Sequence, residues 1–408
     1  MVESPAGRPV SGLVRASLTL IAGGAFSQAL PLLLGPLLTR MYTPADMGHY
    51  HLFAAVAANL GVVACARYEF ALPLAVEADE ADALRVLCVR ILVGAVIATV
   101  LGGFGWWLAG GESWVVWLPL AVATSGAVSL ATMWAMRLQR FSALAASRVW
   151  RYGGAALFQV AAGWMGTGVT GLMLGPIVAA GFATVMLKMP WGWQASRQAL
   201  RDVAHRHRDF PILNTPHAFA GALQDTVAVA LVASVLGPAA AGFWGLGLRY
   251  LKAPATLVGG AVSQALYPKL TVTGAHPTAA TLHSLRRVIL TLSVIALPIV
   301  IGLWALGPWL FQSLFGAPWR EAGELARALA LYIGLHFVAA PLAVVTMAWK
   351  AQAWALQLAL LGQVGFIVAL AAGLHWGGLV GAGWAVSAAM TVYFGYYIVR
   401  LATWPLDR

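Results

Sequence analysis

The chain has 408 residues, 61% of them hydrophobic and only 10% charged, with a mean hydropathy of +0.80. Apolar runs of that density exclude a soluble globular fold. The formal net charge of +11 would point to nucleic acid in a soluble protein, but here the cations lie between apolar runs, and two cysteines are too few for a disulfide framework or a thiolate metal site.

An α-helix needs about 20 mostly apolar residues to cross a ~30 Å hydrocarbon core. About twelve such runs follow one another: 13–39, 47–74, 83–109, 114–136, 145–165 and 168–187, then 211–236, 240–268, 284–313, 322–348, 353–374 and 377–401. The first follows a basic stretch but extends past Leu37 without a convincing cleavage site, so it reads as a spanning helix and not as a cleaved signal. Pro31 and Pro36 interrupt it with Gly35 between them, each removing a backbone donor. Either a mobile kink used in gating or a fixed packing kink fits that pattern. Gln28, Asn59, Asn214, His217, Gln224 and His336 either line a polar cavity or bond between helices.

The loops are asymmetric in charge. With a cytoplasmic N-terminus, Arg8, Arg15, Arg137, Arg140, Arg148, Arg151, the basic run in 188–209, Lys269, Arg286, Arg287, Lys350 and Arg400 all fall on the inner side. The outer side holds Arg40 and Arg320. This is the positive-inside pattern, and it sets both termini in the cytoplasm. Arg40, at a helix end, is an interfacial anchor or part of an outer gate.

The hydrophilic stretch 188–209 separates the helices six and six. The expected division is an N-terminal six-helix lobe over 1–190, a cytoplasmic interfacial linker over 191–210 and a C-terminal six-helix lobe over 211–408. Aromatic residues followed by a basic run make the linker an amphipathic helix at the membrane surface. The halves are related: 39–53 and 233–247 align without gaps, setting Pro44 and Gly48 on Pro238 and Gly242. Each copy joins the first and second helix of its half, so the repeat is parallel, a plan common among transporters.

Ionisable residues inside hydrocarbon are costly and mark functional candidates. Arg67 and Glu69 are the first, Asp225, Arg249 and Lys252 the next, with Glu324 and Arg327 near the start of the tenth helix. On one continuous helix Arg67 and Glu69 stand about 200° apart, whereas Arg249 and Lys252 share a face. That face suits a diphosphate, because Arg offers a planar fork and Lys a point charge. Arg249 lies roughly 13 Å from the outer end of its helix and Arg67 roughly 30 Å along its own. Asp225, roughly 16 Å from an outer end, either neutralises Arg249 or carries a coupling H⁺ or Na⁺. Glu69 either contacts substrate or pairs with another helix.

Two segments carry a family likeness. LPLLLGPLLTRMYTPADMGHYHLF (30–53), followed by ARYEFALPLAVEADEADALRVL (66–87), resembles the N-terminal signature of Wzx-type O-antigen and polysaccharide flippases. Leu38, Thr39, Arg40, Tyr42, Pro44, Gly48, Arg67, Tyr68, Glu69 and Ala71 carry it. The segment 239–270 resembles the second-lobe counterpart through Gly242, Arg249, Pro254 and Pro268. The resemblance implies the fold of the multidrug/oligosaccharidyl-lipid/polysaccharide exporter superfamily. It implies a bacterial inner-membrane flippase that moves undecaprenyl-diphosphate-linked oligosaccharide by alternating access for O-antigen, capsule or exopolysaccharide. Membrane lipids surround such a protein, and a polysaccharide polymerase and chain-length regulator are its implied partners. No cofactor, metal or catalytic residue is expected. A lipid II flippase of the same superfamily is an alternative, although such proteins usually have two more helices. Two other readings compete: a cation-coupled drug exporter, which would have carboxylates dominating its cavity, and a membrane glycosyltransferase or polymerase. The latter needs a catalytic loop, and the acidic cluster Glu77, Asp79, Glu80, Asp82 has no companion.

Overall fold

The computed structural model describes residues 28–271 and 277–405, and every regular element among them is helical. Helix α1 occupies 28–41 and stays helical through a buried Pro31 and a half-buried Pro36. The Thr39 hydroxyl donates to the Pro36 carbonyl at 3.1 Å. The part of the first expected span before residue 28 lies outside the described residues.

Helix α2 (Pro44–Val63) begins with a reciprocal capping box. The Thr43 N–H donates to Asp46 Oδ2 at 3.0 Å and the Asp46 N–H to Thr43 Oγ1 at 3.2 Å, with Pro44 opening the helix. At its far end Ala66 (φ 48°) and Arg67 (φ 61°) are both left-handed, a conformation that cannot continue a right-handed helix. The chain bends by 51° there and enters a 3₁₀ turn, Tyr68–Leu74. The single span expected over 47–74 is therefore broken, and neither the 200° separation of Arg67 and Glu69 nor the depth of Arg67 along one helix holds.

Helices α3 (Ala78–Leu108), α4 (Leu118–Arg137), α5 (Phe141–Val149), α6 (Ala155–Trp164), α7 (Val169–Met186) and α8 (Arg197–Arg206) follow. A π-turn, Trp150–Gly154, joins α5 to α6. Then come α9 (Thr215–Leu236), α10 (Pro238–Thr271), α11 (Ala279–Phe315), α12 (Arg320–Ala339), α13 (Ala343–Ala348) and α14 (Gln352–Ala402). The 51 residues of α14 are two helices meeting at Gly377 and Gly378, whose backbones leave helical geometry. They fold back on each other: Trp354 stacks on Tyr397 with ring centroids 5.8 Å apart, and Gly362 abuts Tyr393. Two spans, 353–374 and 377–401, are thus combined in one helical label.

Helix lies over each expected span within the described residues. Seven helices, or eight with the bent α2 pair, are long and apolar enough to cross a membrane on their own. The rest are shortened by breaks, as in α5–α6, or diluted by Gly, Pro, Tyr and Trp, as in α10.

The described residues form two compact units. The first is 28–42 with Leu52–Thr226, and the second is Thr43–His51 with 227–405. Compactness therefore places the changeover at Thr226, not near residue 210, and assigns the start of α2 to the second unit.

In the first unit α3, α4 and α7 enclose Leu72, Leu84, Leu130, Leu172 and Met173 with almost no exposure. Helix α8 docks here on protein. Ser196 caps it by accepting from the Ala199 N–H, and Leu200 and Val203 are buried. The Tyr68 hydroxyl donates to the Ala204 carbonyl at 3.2 Å, and Glu80 Oε1 takes Arg206 Nη1 at 2.9 Å and His207 Nε2 at 3.0 Å. Three arginines also donate to backbone carbonyls in this unit. Arg85 donates to Pro190 O at 2.6 Å, Arg140 to Leu187 O at 2.9 Å and Arg137 to Glu77 O at 3.0 Å. The Leu187 carbonyl, at the C-terminal end of α7, is an acceptor that a helix end leaves open. Glu80→Gln is expected to loosen α8 and raise the rate of tryptic cleavage within 197–208 several-fold, since an ion pair of this partly exposed kind is worth about 0.2–1 kcal/mol. Unchanged cleavage would show that the apolar face alone holds the helix.

The second unit is built on aromatic packing. Trp244 and Trp319 are buried, Trp244 meeting Phe366 edge-on at 6.2 Å and Trp319 meeting Phe243 at 5.6 Å. The two copies of the Pro-x-x-x-Gly repeat pack on each other within it. A Cβ added at Gly48 would collide with the Pro238 carbonyl, and one at Gly242 with the Pro44 carbonyl. Glu324 and Arg327 pair with each other at 3.1 Å on α12, and Arg327 also donates to Trp304 O at 2.9 Å.

Candidate functional site

In the first unit the bend after α2 places Arg67 and Glu69. Two successive left-handed residues without glycine cost about 1–3 kcal/mol each and persist only where their surroundings enforce them. Arg67 is half-buried, its guanidinium lies 4.2 Å from the Phe70 ring centroid, and its Nε is buried with no hydrogen-bond partner. Glu69 is 2% exposed. Its Oε1 accepts from the Ser129 hydroxyl of α4 at 3.3 Å, while Oε2 has no partner. A strained backbone, an unsatisfied guanidinium nitrogen and a half-satisfied carboxylate coincide at one break. Structural burial alone would have satisfied these atoms.

In the second unit α10 presents Arg249, exposed, and Lys252, half-buried, three residues apart. Arg249 makes no ion pair among the described residues. Arg249 is within electrostatic reach of His51 in α2, and Lys252 of His336 in α12. His51 Nε2 and His336 Nδ1 are buried without hydrogen-bond partners. His336 packs edge-on against Phe394 at 5.8 Å. The α10 cations are thus backed by imidazoles with open acceptor or donor capacity. His51 and Ser129 were not among the sequence candidates. His51 carried no signal beyond its place in the motif, and a mid-helix serine carries none.

The remaining candidates are dispersed. Asp225 is exposed, belongs to the first unit and makes no ion pair among the described residues, and Arg40 is exposed at the end of α1. Asn59 is buried and donates to the Phe219 carbonyl at 3.4 Å, so it bonds between helices. Gln28 and Asn214 are exposed, Gln224 is half-buried, and the side chain of His217 lies outside the described residues. Leu38, Thr39 and Tyr42 of the N-terminal motif are buried, and the Tyr42 hydroxyl donates to Gln159 O at 2.7 Å. Much of that motif is therefore structural.

Residues 37–324 match the profile of the polysaccharide biosynthesis protein family. The chain belongs to that family. The matched region takes in Arg67, Glu69, Asp225, Arg249 and Lys252 together. No curated protein matches the chain in sequence. Solved structures show the fold. A lipid II flippase MurJ in an inward closed conformation is 13% identical with a TM-score of 0.70, covering 96% of this chain and 88% of its own. An inward-facing multidrug resistance MATE family transporter of the MOP superfamily is 14% identical with a TM-score of 0.56, covering 97% and 96%. The Vibrio cholerae MATE transporter VcmN is 14% identical with a TM-score of 0.54, covering 96% and 95%. The family member described here therefore has a MATE-like, all-helical membrane fold.

Proposed function

We propose that the chain is a flippase that carries an undecaprenyl-diphosphate-linked oligosaccharide repeat unit across the bacterial inner membrane, for O-antigen, capsule or exopolysaccharide assembly. The observation that carries the reading is a guanidinium with open donors in each unit, Arg67 and Arg249. Arg249 is in no ion pair among the described residues and Arg67 keeps a buried donor open, whereas Glu324 and Arg327 pair with each other. A diphosphate supplies the missing acceptors, because charge-assisted bonds to phosphate are the strong ones a guanidinium makes. Arg67, Arg249 and Lys252 would each contact the diphosphate in the course of alternating access, with the prenyl tail left in lipid. Both termini would be cytoplasmic, Asp225 would carry a coupling H⁺ or Na⁺, and a polymerase and a chain-length regulator would take the product. A cation-coupled drug exporter would be expected to have carboxylates in place of Arg249 and Lys252 on α10.

Depletion of the protein in its own host tests the reading. Lipid-linked repeat units are expected to accumulate on the cytoplasmic face, with surface polysaccharide falling at least tenfold. Normal surface polysaccharide with altered drug tolerance would favour the exporter.

A further inference from the structure

The last turns of α10 and the first turns of α11 frame a groove of about 580 Å³. Its wall is apolar, with Val262, Leu266, Leu292 and Ile295, and Lys269 and Arg287 lie on it with no acidic residue in the lining. Neither cation is in an ion pair among the described residues. The hydroxyls in the lining are already engaged: Ser284 donates to Ala280 O at 2.9 Å, Thr291 to Arg287 O at 2.9 Å, and Thr281 bonds Thr278 at 2.9 Å. The groove thus offers two positive charges and a long apolar surface, with its hydroxyl donors already taken up.

We infer that this groove holds one anionic phospholipid, its phosphate between Lys269 and Arg287 and an acyl chain along the α10–α11 wall. Charge decides the head group: Arg287 presents a fork to phosphate oxygens and Lys269 a point charge. The charge asymmetry of the loops sets this end of the helices in the cytoplasmic leaflet, where basic pockets between spanning helices bind anionic heads. The Ser284 and Thr291 hydroxyls donate to the helix backbone, so the two cations and the apolar wall are the groups that select the occupant. The inference stands apart from the transport reading.

The test uses the full-length protein in phosphatidylcholine vesicles containing a minor fraction of phosphatidylglycerol, with the lipid retained on the protein read by native mass spectrometry. Phosphatidylglycerol is expected to be enriched over phosphatidylcholine. The double variant Lys269→Ala/Arg287→Ala should bind it roughly 30-fold less well, each charge near an anionic head being worth about fivefold. Ala265→Trp keeps both cations but fills the groove, and it too should lose the lipid. Equal retention by the double variant, or full retention by Ala265→Trp, would overturn the site. So would displacement of phosphatidylglycerol by undecaprenyl phosphate at equal concentration, which would give the groove to the carrier lipid.

Discussion

Arg67→Gly is expected to leave the protein at wild-type abundance in the membrane while surface polysaccharide falls by roughly 30-fold or more. The choice of glycine follows from the backbone. Arg67 sits at φ 61°, a conformation that glycine adopts without strain, so the variant removes the charge without adding backbone strain. What remains is the loss of a buried, charge-assisted contact to the head group, worth about 2–5 kcal/mol when one partner is truncated. Arg249→Gln should behave alike, since that side chain is exposed and in no ion pair among the described residues. Arg249→Lys separates charge from geometry: substantial activity means charge suffices, and little means the planar fork matters. Normal polysaccharide in the Arg67→Gly/Arg249→Gln double variant would remove both residues from the head-group site.

Gly48→Val and Gly242→Val should each abolish the folded protein. A side chain at either position runs into the carbonyl of the other repeat's proline, Pro238 or Pro44. Overpacking commonly costs about 1–3 kcal/mol when side chains can shift. Here the obstacle is backbone, so relief requires moving a helix start. Gly260, also in α10, has nothing within 4 Å of an added Cβ, and Gly260→Val serves as the control expected to express normally. Abundance and size-exclusion profile in mild detergent report the result. A monodisperse Gly48→Val protein at wild-type yield would show that the two motifs do not pack as described.

The repeat itself was legible in the sequence, but its reason was not. Pro44/Gly48 and Pro238/Gly242 align because each glycine clears the other copy's proline carbonyl, a contact no alignment reveals. Spans were legible because apolar length is a strong signal; the gap expected at 375–376 falls just before the turn at Gly377 and Gly378 inside α14. The break at Ala66 and Arg67 was not. Left-handed backbone is normally announced by Gly or Asn, and here the sequence reads Cys65-Ala66-Arg67-Tyr68. Helix α8 was legible as amphipathic, yet periodicity does not say whether the apolar face meets lipid or protein. The Tyr68–Ala204 and Glu80–Arg206 contacts settle that. The cations Arg67, Arg249 and Lys252 were found as rare charges in apolar runs. The histidines beside them became visible only once α2 and α12 were placed around α10.

The most direct measurement is transport by the purified full-length protein in sealed vesicles loaded with a fluorescent undecaprenyl-diphosphate-linked oligosaccharide, with an impermeant quencher reading arrival of the sugar in the other leaflet. The account predicts translocation well above protein-free vesicles, lost in the Arg67→Gly/Arg249→Gln variant at equal reconstitution. Translocation equal to that of protein-free vesicles, under an imposed proton gradient, sodium gradient or membrane potential alike, would contradict it.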